Sequence, residues 1–149
     1  MEYSARKFNK TTYDEYDNYA KEKIINFLIK RGHDIINKEE NFEHDLLTKK
    51  NNIYYYFELE VKIGYPFTSK KDYKFSTVSF LGRKKRLHLI NPFYYLIFCK
   101  ETNCILFCES ANIFKDEYLE KLNVNTNNRK GTDEMYRVPI NLCKFFTII

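Results

Sequence analysis

Ile53-Tyr54-Tyr55-Tyr56-Phe57-Glu58-Leu59-Glu60-Val61-Lys62-Ile63, IYYYFELEVKI, starts as an aromatic run and turns halfway into strict alternation of apolar and charged residues. Side chains of a strand point alternately to its two faces. The spacing therefore predicts a strand over 53–63 with Phe57, Leu59 and Val61 on one face and Glu58, Glu60 and Lys62 on the other. The charged face has two readings. It is either a solvated outer stripe, which Glu58 fits best, or a face built to hold a metal ion.

Working outward, Lys49-Lys50-Asn51-Asn52 marks a turn, and a preceding strand over 42–48 carries Phe42-Glu43-His44-Asp45. A short strand is expected over 34–38. Before it, Tyr16, Ala20, Ile24, Phe27 and Leu28 recur at helical spacing. They predict a helix over 13–31, opened by a Thr12/Glu15 capping box and closed at Gly32. Residues 1–11 read as a loose leader. Downstream, a loop after Gly64 and Pro66 leads to a short strand or helical turn over 76–80. A hairpin over 93–100 and 104–109 follows, then a helix over 110–122, a polar loop over 123–133, and strand or terminal segments over 136–140 and 143–148. No repeat or linker divides the 149 residues, so one domain over 1–149 is expected, a mixed α/β sheet flanked by helices.

Charge is unevenly distributed. Residues 61–90 hold eight Lys/Arg against one Asp, a surplus of seven in a chain of net charge +5, so the remainder carries −2. Such a basic region suits a polyanionic partner, nucleic acid above all. Lys70 and the cluster Arg83, Lys84, Lys85 and Arg86 are the candidate phosphate contacts. The interleaved Tyr65, Phe67, Tyr73 and Phe80 could stack on bases but read better as inward-facing. Cys99, Cys104, Cys108 and Cys143 lie in apolar contexts without zinc-knuckle spacing, so buried thiols in a reduced, intracellular protein are expected. His44 should face away from Asp45 and read as structural. No stretch approaches the length needed to span a bilayer, and no secretory signal is visible.

If the two central strands form a hairpin, Asp45 comes close to Glu60, with Lys62 on the same face as Glu60. Asp45 followed by Glu60-Val61-Lys62 resembles the active-site motif of the PD-(D/E)XK nuclease superfamily, and the order helix, strand, Asp strand, Glu-x-Lys strand resembles its core over 13–63. His44 stands where the motif name places Pro. The resemblance implies a restriction-endonuclease-like fold and hydrolysis of DNA. Asp45 and Glu60 would bind Mg²⁺ or Mn²⁺, and Lys62 would assist the attacking water. It also implies a homodimer, including the junction-resolving kind. Many members carry a helix acid: Asp17 has the right phase but sits early, and Glu22 falls opposite the apolar stripe. The alternative is an idle nucleic-acid-binding or assembly protein on the same fold.

Overall fold

The computed structural model describes residues 10–39, 44–126 and 129–148. The expected leader and the start of the expected strand over 42–48 fall largely outside them. Helix α1 (Lys10–Lys30) buries Ala20, Ile24 and Leu28 at four-residue intervals, as the periodicity predicts. It begins ahead of Thr12, so the expected capping box is not at its start. Its C-terminus is a Schellman motif. Gly32 takes φ +91°, its N–H donates to Ile29 C=O at 3.0 Å, and the His33 N–H donates to Leu28 C=O at 3.0 Å.

Strands β1 (Asp34–Asn37), β2 (Leu46–Lys50) and β3 (Ile53–Lys62) form an antiparallel meander. The β2–β3 turn is Asn51-Asn52, both at positive φ (51° and 64°), the conformation a two-residue hairpin requires. After β3 the chain crosses over through β4 (Thr77–Leu81), a 3-10 turn over Gly82–Lys84 and α2 (Lys85–Ile90), and returns as β5 (Tyr94–Cys99) parallel to β3. Strand β6 (Cys104–Glu109) completes the expected hairpin, turning through Asn103 at φ 57°. The large sheet has order β1-β2-β3-β5-β6-β9, with β9 over Lys144–Thr147; only β3–β5 is parallel.

The segment after β6 departs from expectation. A helix predicted over 110–122 lasts one turn, α3 (Ser110–Ile113). Phe114 and Lys115 leave helical backbone, and a 3-10 turn over Asp116–Tyr118 leads into β7 (Leu119–Thr126). Strand β8 (Arg129–Pro139) pairs with β7 from Leu119↔Tyr136 to Thr126↔Arg129, where a polar loop was predicted. Backbone pairing with β8 outweighs the local helical pattern, and polar composition conceals a strand whose partner is another strand. Strand β8 also pairs with β4, giving a second sheet of order β4-β8-β7.

The large sheet is therefore covered on both faces: one by α1, the other chiefly by the second sheet, where flanking helices were expected. Leu46, Phe57, Leu96, Phe98 and Ile105 pack with α1. Tyr95, Ile97, Cys99, Cys104 and Leu106 pack with Val78, Phe80, Tyr136 and Val138 of the second sheet. Strands buried on both faces read as continuous apolar runs, which is why Tyr95 to Cys99 show no alternation in sequence. Among the described residues no helix is long and apolar enough to cross a membrane.

Candidate functional site

The decisive stretch divides its faces as its alternation predicts. Phe57, Leu59 and Val61 belong to the α1 side. The other face is covered and not an open stripe: Glu58 is only 3% exposed, and Glu60 and Lys62 are half-buried. The solvated-stripe reading of Glu58 is thereby corrected. A strand beneath a second sheet has no solvated face at that position.

The site forms where β2 and β3 part. Their register runs to Leu46↔Phe57, and Asp45 lies one residue before β2. There the Asp45 N–H still reaches the Phe57 carbonyl at 3.1 Å, and the Asp45 side chain extends the pairing: Oδ2 accepts the Leu59 N–H at 2.9 Å. In return the Asp45 N–H donates to Glu58 Oε2 at 2.7 Å, and the other Glu58 oxygen accepts Lys84 Nζ at 2.6 Å. Burial and the Asp45 carboxylate raise the Glu58 pKa; the Lys84 ammonium opposes them.

A cavity of about 220 Å³ opens in this fork. It is lined by Asp45, by Glu60 from β3, by Asp17 from α1, and by Arg83 and Lys84 from the turn after β4, with Leu59, Val61, Leu81 and Tyr95 completing the wall. The Tyr95 hydroxyl donates to Glu60 Oε2 at 2.9 Å, and its burial pushes the phenol well above its ordinary pKa. Tyr95 thus fixes one Glu60 oxygen as a neutral donor, much as the Leu59 N–H fixes one oxygen of Asp45.

Comparison with protein-family models, with curated proteins and with solved structures found no match.

The expected site residues separate into those inside this cavity and those beside it. Asp45 and Glu60 line it together. Of the two helix candidates, Asp17 lines it and Glu22 is exposed. Lys62 lines a neighbouring cleft instead, and the ammonium in the acid cavity belongs to Lys84. Within the basic cluster Arg83 and Lys84 reach the cavity. Lys85 is half-buried and Arg86 exposed at the start of α2, and Lys70 donates to Asn141 from the loop after β3. Phe67 and Phe80 are buried as expected, and Tyr65 is not. The four cysteines are buried and unpaired by disulfides. His44 is buried with its ring against Tyr56.

Tyr95 had no sequence signal of its own, and Lys84, expected only as a phosphate contact, is also paired with Glu58. Tyr95 reaches Glu60 only because β3 and β5 are parallel neighbours, a long-range pairing. Lys84 turns inward because Glu58 is buried beneath it.

The donors facing the cavity are carboxylate oxygens, the set that hard divalent cations prefer. Among the described residues no group of three or more acidic, histidine or cysteine side chains clusters tightly enough to enclose an ion. Mg²⁺, however, is commonly held by one or two carboxylates, with water and substrate phosphate filling its shell. Asp45 and Glu60 fit that requirement.

Proposed function

We propose that the chain is a divalent-metal-dependent nuclease that hydrolyses phosphodiester bonds in DNA, on a restriction-endonuclease-like core of the PD-(D/E)XK type. One observation carries the reading: Asp45 and Glu60 line a single cavity whose rim is supplied by Arg83 and Lys84 of the basic segment. The antiparallel meander after α1 also accords with the order that prompted the resemblance.

Asp45 and Glu60 would hold Mg²⁺ or Mn²⁺, while Asp17 lines the same cavity from α1 without closing a three-acid group around it. An ion held there would supply Lewis acidity and a more acidic water. The chain's own residues do the rest. Arg83 and Lys84 place positive charge where a phosphate enters and where charge builds on its oxygens. The Tyr95 hydroxyl and the Leu59 N–H keep the two carboxylates from rotating away. Lys62, on the cleft side, meets the nucleic-acid strand rather than the reacting phosphate. Two copies of the chain would let the protein cut both strands of a duplex, and sedimentation would detect such a homodimer.

Cleavage of linear, single-stranded and branched DNA with Mg²⁺ or Mn²⁺ tests this. Asp45→Ala and Glu60→Ala should each lower the rate by about 100-fold or more, and chelation should abolish it. A wild type without cleavage, or variants that cut normally, would overturn it.

A second reading, a nucleic-acid-binding protein with an idle site, is favoured by the Glu58–Lys84 ion pair, which already engages the cavity's ammonium. It expects salt-dependent DNA binding that survives both chelation and Glu60→Ala.

A further inference from the structure

Beside the acid cavity lies a larger cleft, of about 790 Å³, between the end of β3, the loop that follows it and the second sheet. Its size falls within the range of small-ligand sites. The loop over residues 64–76 is firmly held. The Gly64 N–H donates to Glu101 at 2.7 Å, and the Thr102 hydroxyl donates to the Phe67 carbonyl at 2.6 Å. The Asp72 carboxylate accepts the backbone N–H groups of Thr68 and Ser69 and the Thr68 hydroxyl. Phe67 is driven into the core, edge-on to Tyr73 and Phe145.

A loop pinned this well nevertheless turns two large rings outward. Tyr65 is 59% and Phe75 51% exposed, with centroids 6.2 Å apart. The Lys74 ammonium stands 6.0 Å from one ring centroid and 5.9 Å from the other. Lys62 and Arg137 also line the cleft, Arg137 being paired with Glu120; Asp72 is the acid among the lining residues. Aromatic faces interleaved with cations are the chemistry that binds unpaired nucleotides: rings stack on bases while lysines meet the backbone. A duplex, with its bases already stacked, cannot use those rings.

The cleft is also correctly placed. Lys62 follows Glu60 by two residues on the same face of β3, about 7 Å along the strand. A phosphate beside Glu60 would thus have its neighbouring nucleotide at the cleft.

We propose that this cleft binds an unpaired base and its backbone, so that the substrate is single-stranded nucleic acid, or a single-stranded stretch of a larger one, rather than continuous duplex. The inference rests on the nuclease reading for the role of the adjacent cavity, but its test does not. Binding is measured by fluorescence anisotropy in EDTA, in an Asp45→Asn/Glu60→Gln background, with a labelled 12-nucleotide strand and with the same strand in duplex form. Deoxy and ribo versions distinguish the two sources of the shared chemistry.

The single strand should bind tighter than the duplex. Tyr65→Leu/Phe75→Leu, which keeps apolar bulk and removes both π faces, should weaken single-strand binding about tenfold and leave duplex binding unchanged. Both positions are exposed, and circular dichroism checks that the variant folds. Equal affinity for the two forms, or single-strand affinity unmoved by the substitutions, would overturn the proposal. Ring-dependent binding without wild-type cleavage would overturn the nuclease reading and leave the cleft standing; cleavage without ring-dependent binding would do the reverse.

Discussion

Burial and the neighbouring Asp45 carboxylate both disfavour an ionised Glu58, while Lys84 favours it, and the balance leaves the folded-state pKa raised above 4.5. The folded protein therefore keeps this proton to a higher pH than the unfolded chain does. The resulting stability is fully present below the ordinary glutamate range and is lost as pH rises from there through the raised value. Glu58→Gln removes the titration. It also replaces one acceptor oxygen with an amide that cannot serve both Lys84 and the Asp45 N–H, at a cost of about 1–2 kcal/mol. Urea unfolding over a pH series should show the wild type losing stability relative to the variant as pH climbs above 4.5; parallel curves would exclude Glu58 as the titrating group. Sequence revealed the face Glu58 occupies but not that the face is covered. Alternation reports sidedness, whereas the cover includes Lys84 from the turn after β4, a strand whose pairing with β8 spans more than fifty residues.

The turn between β4 and α2 carries Arg83 and Lys84 to the cavity, and Gly82 is what lets it pass. A Cβ at Gly82 would stand 2.5 Å from the Glu134 carbonyl oxygen and 2.9 Å from its carbonyl carbon, both in the backbone of β8. Neither can yield without moving β8 where Glu134 pairs with Lys121 of β7, next to the last β4–β8 pair Leu81↔Met135, so Gly82→Ala should cost about 1–3 kcal/mol and shift the turn. If the turn sets the site, the same substitution should also reduce phosphate-dependent binding, with Lys84 no longer seated on Glu58. Thermal melting combined with nucleic-acid titration checks both effects, and an unchanged melting temperature would contradict the close approach. At this scale the sequence was most legible where signals are local: α1, the Asn51-Asn52 hairpin and the β5–β6 hairpin lie near their expected bounds. Of the β7–β8 ribbon, only the end of β8, within the strand expected over 136–140, was legible. The other residues carry turn-like, polar composition, and their strand character resides in backbone pairing that no side-chain period records.

The molecule is three layers deep, and all four thiols lie in the layer between the two sheets or at its margin. Burial pushes the Cys104 thiol up to about 11, and the hydrogen bond between Cys108 and Cys143 raises Cys143 and lowers Cys108. All four thiols are buried away from a reagent in solution, so labelling needs the layer to open. If β4-β8-β7 separates from the large sheet only when the whole chain unfolds, Cys99, Cys104, Cys108 and Cys143 should label at one common rate. That rate should respond to urea with the full dependence of global unfolding. Mass spectrometry of peptides after timed exposure to a thiol reagent reads the four rates separately. Faster labelling of Cys143 than of Cys99 would have a different meaning. Cys143 directly precedes β9, the edge strand of the large sheet, so selective reaction there would show that edge peeling away while the acid cavity, built on β3 and β5 at the sheet's centre, stays intact.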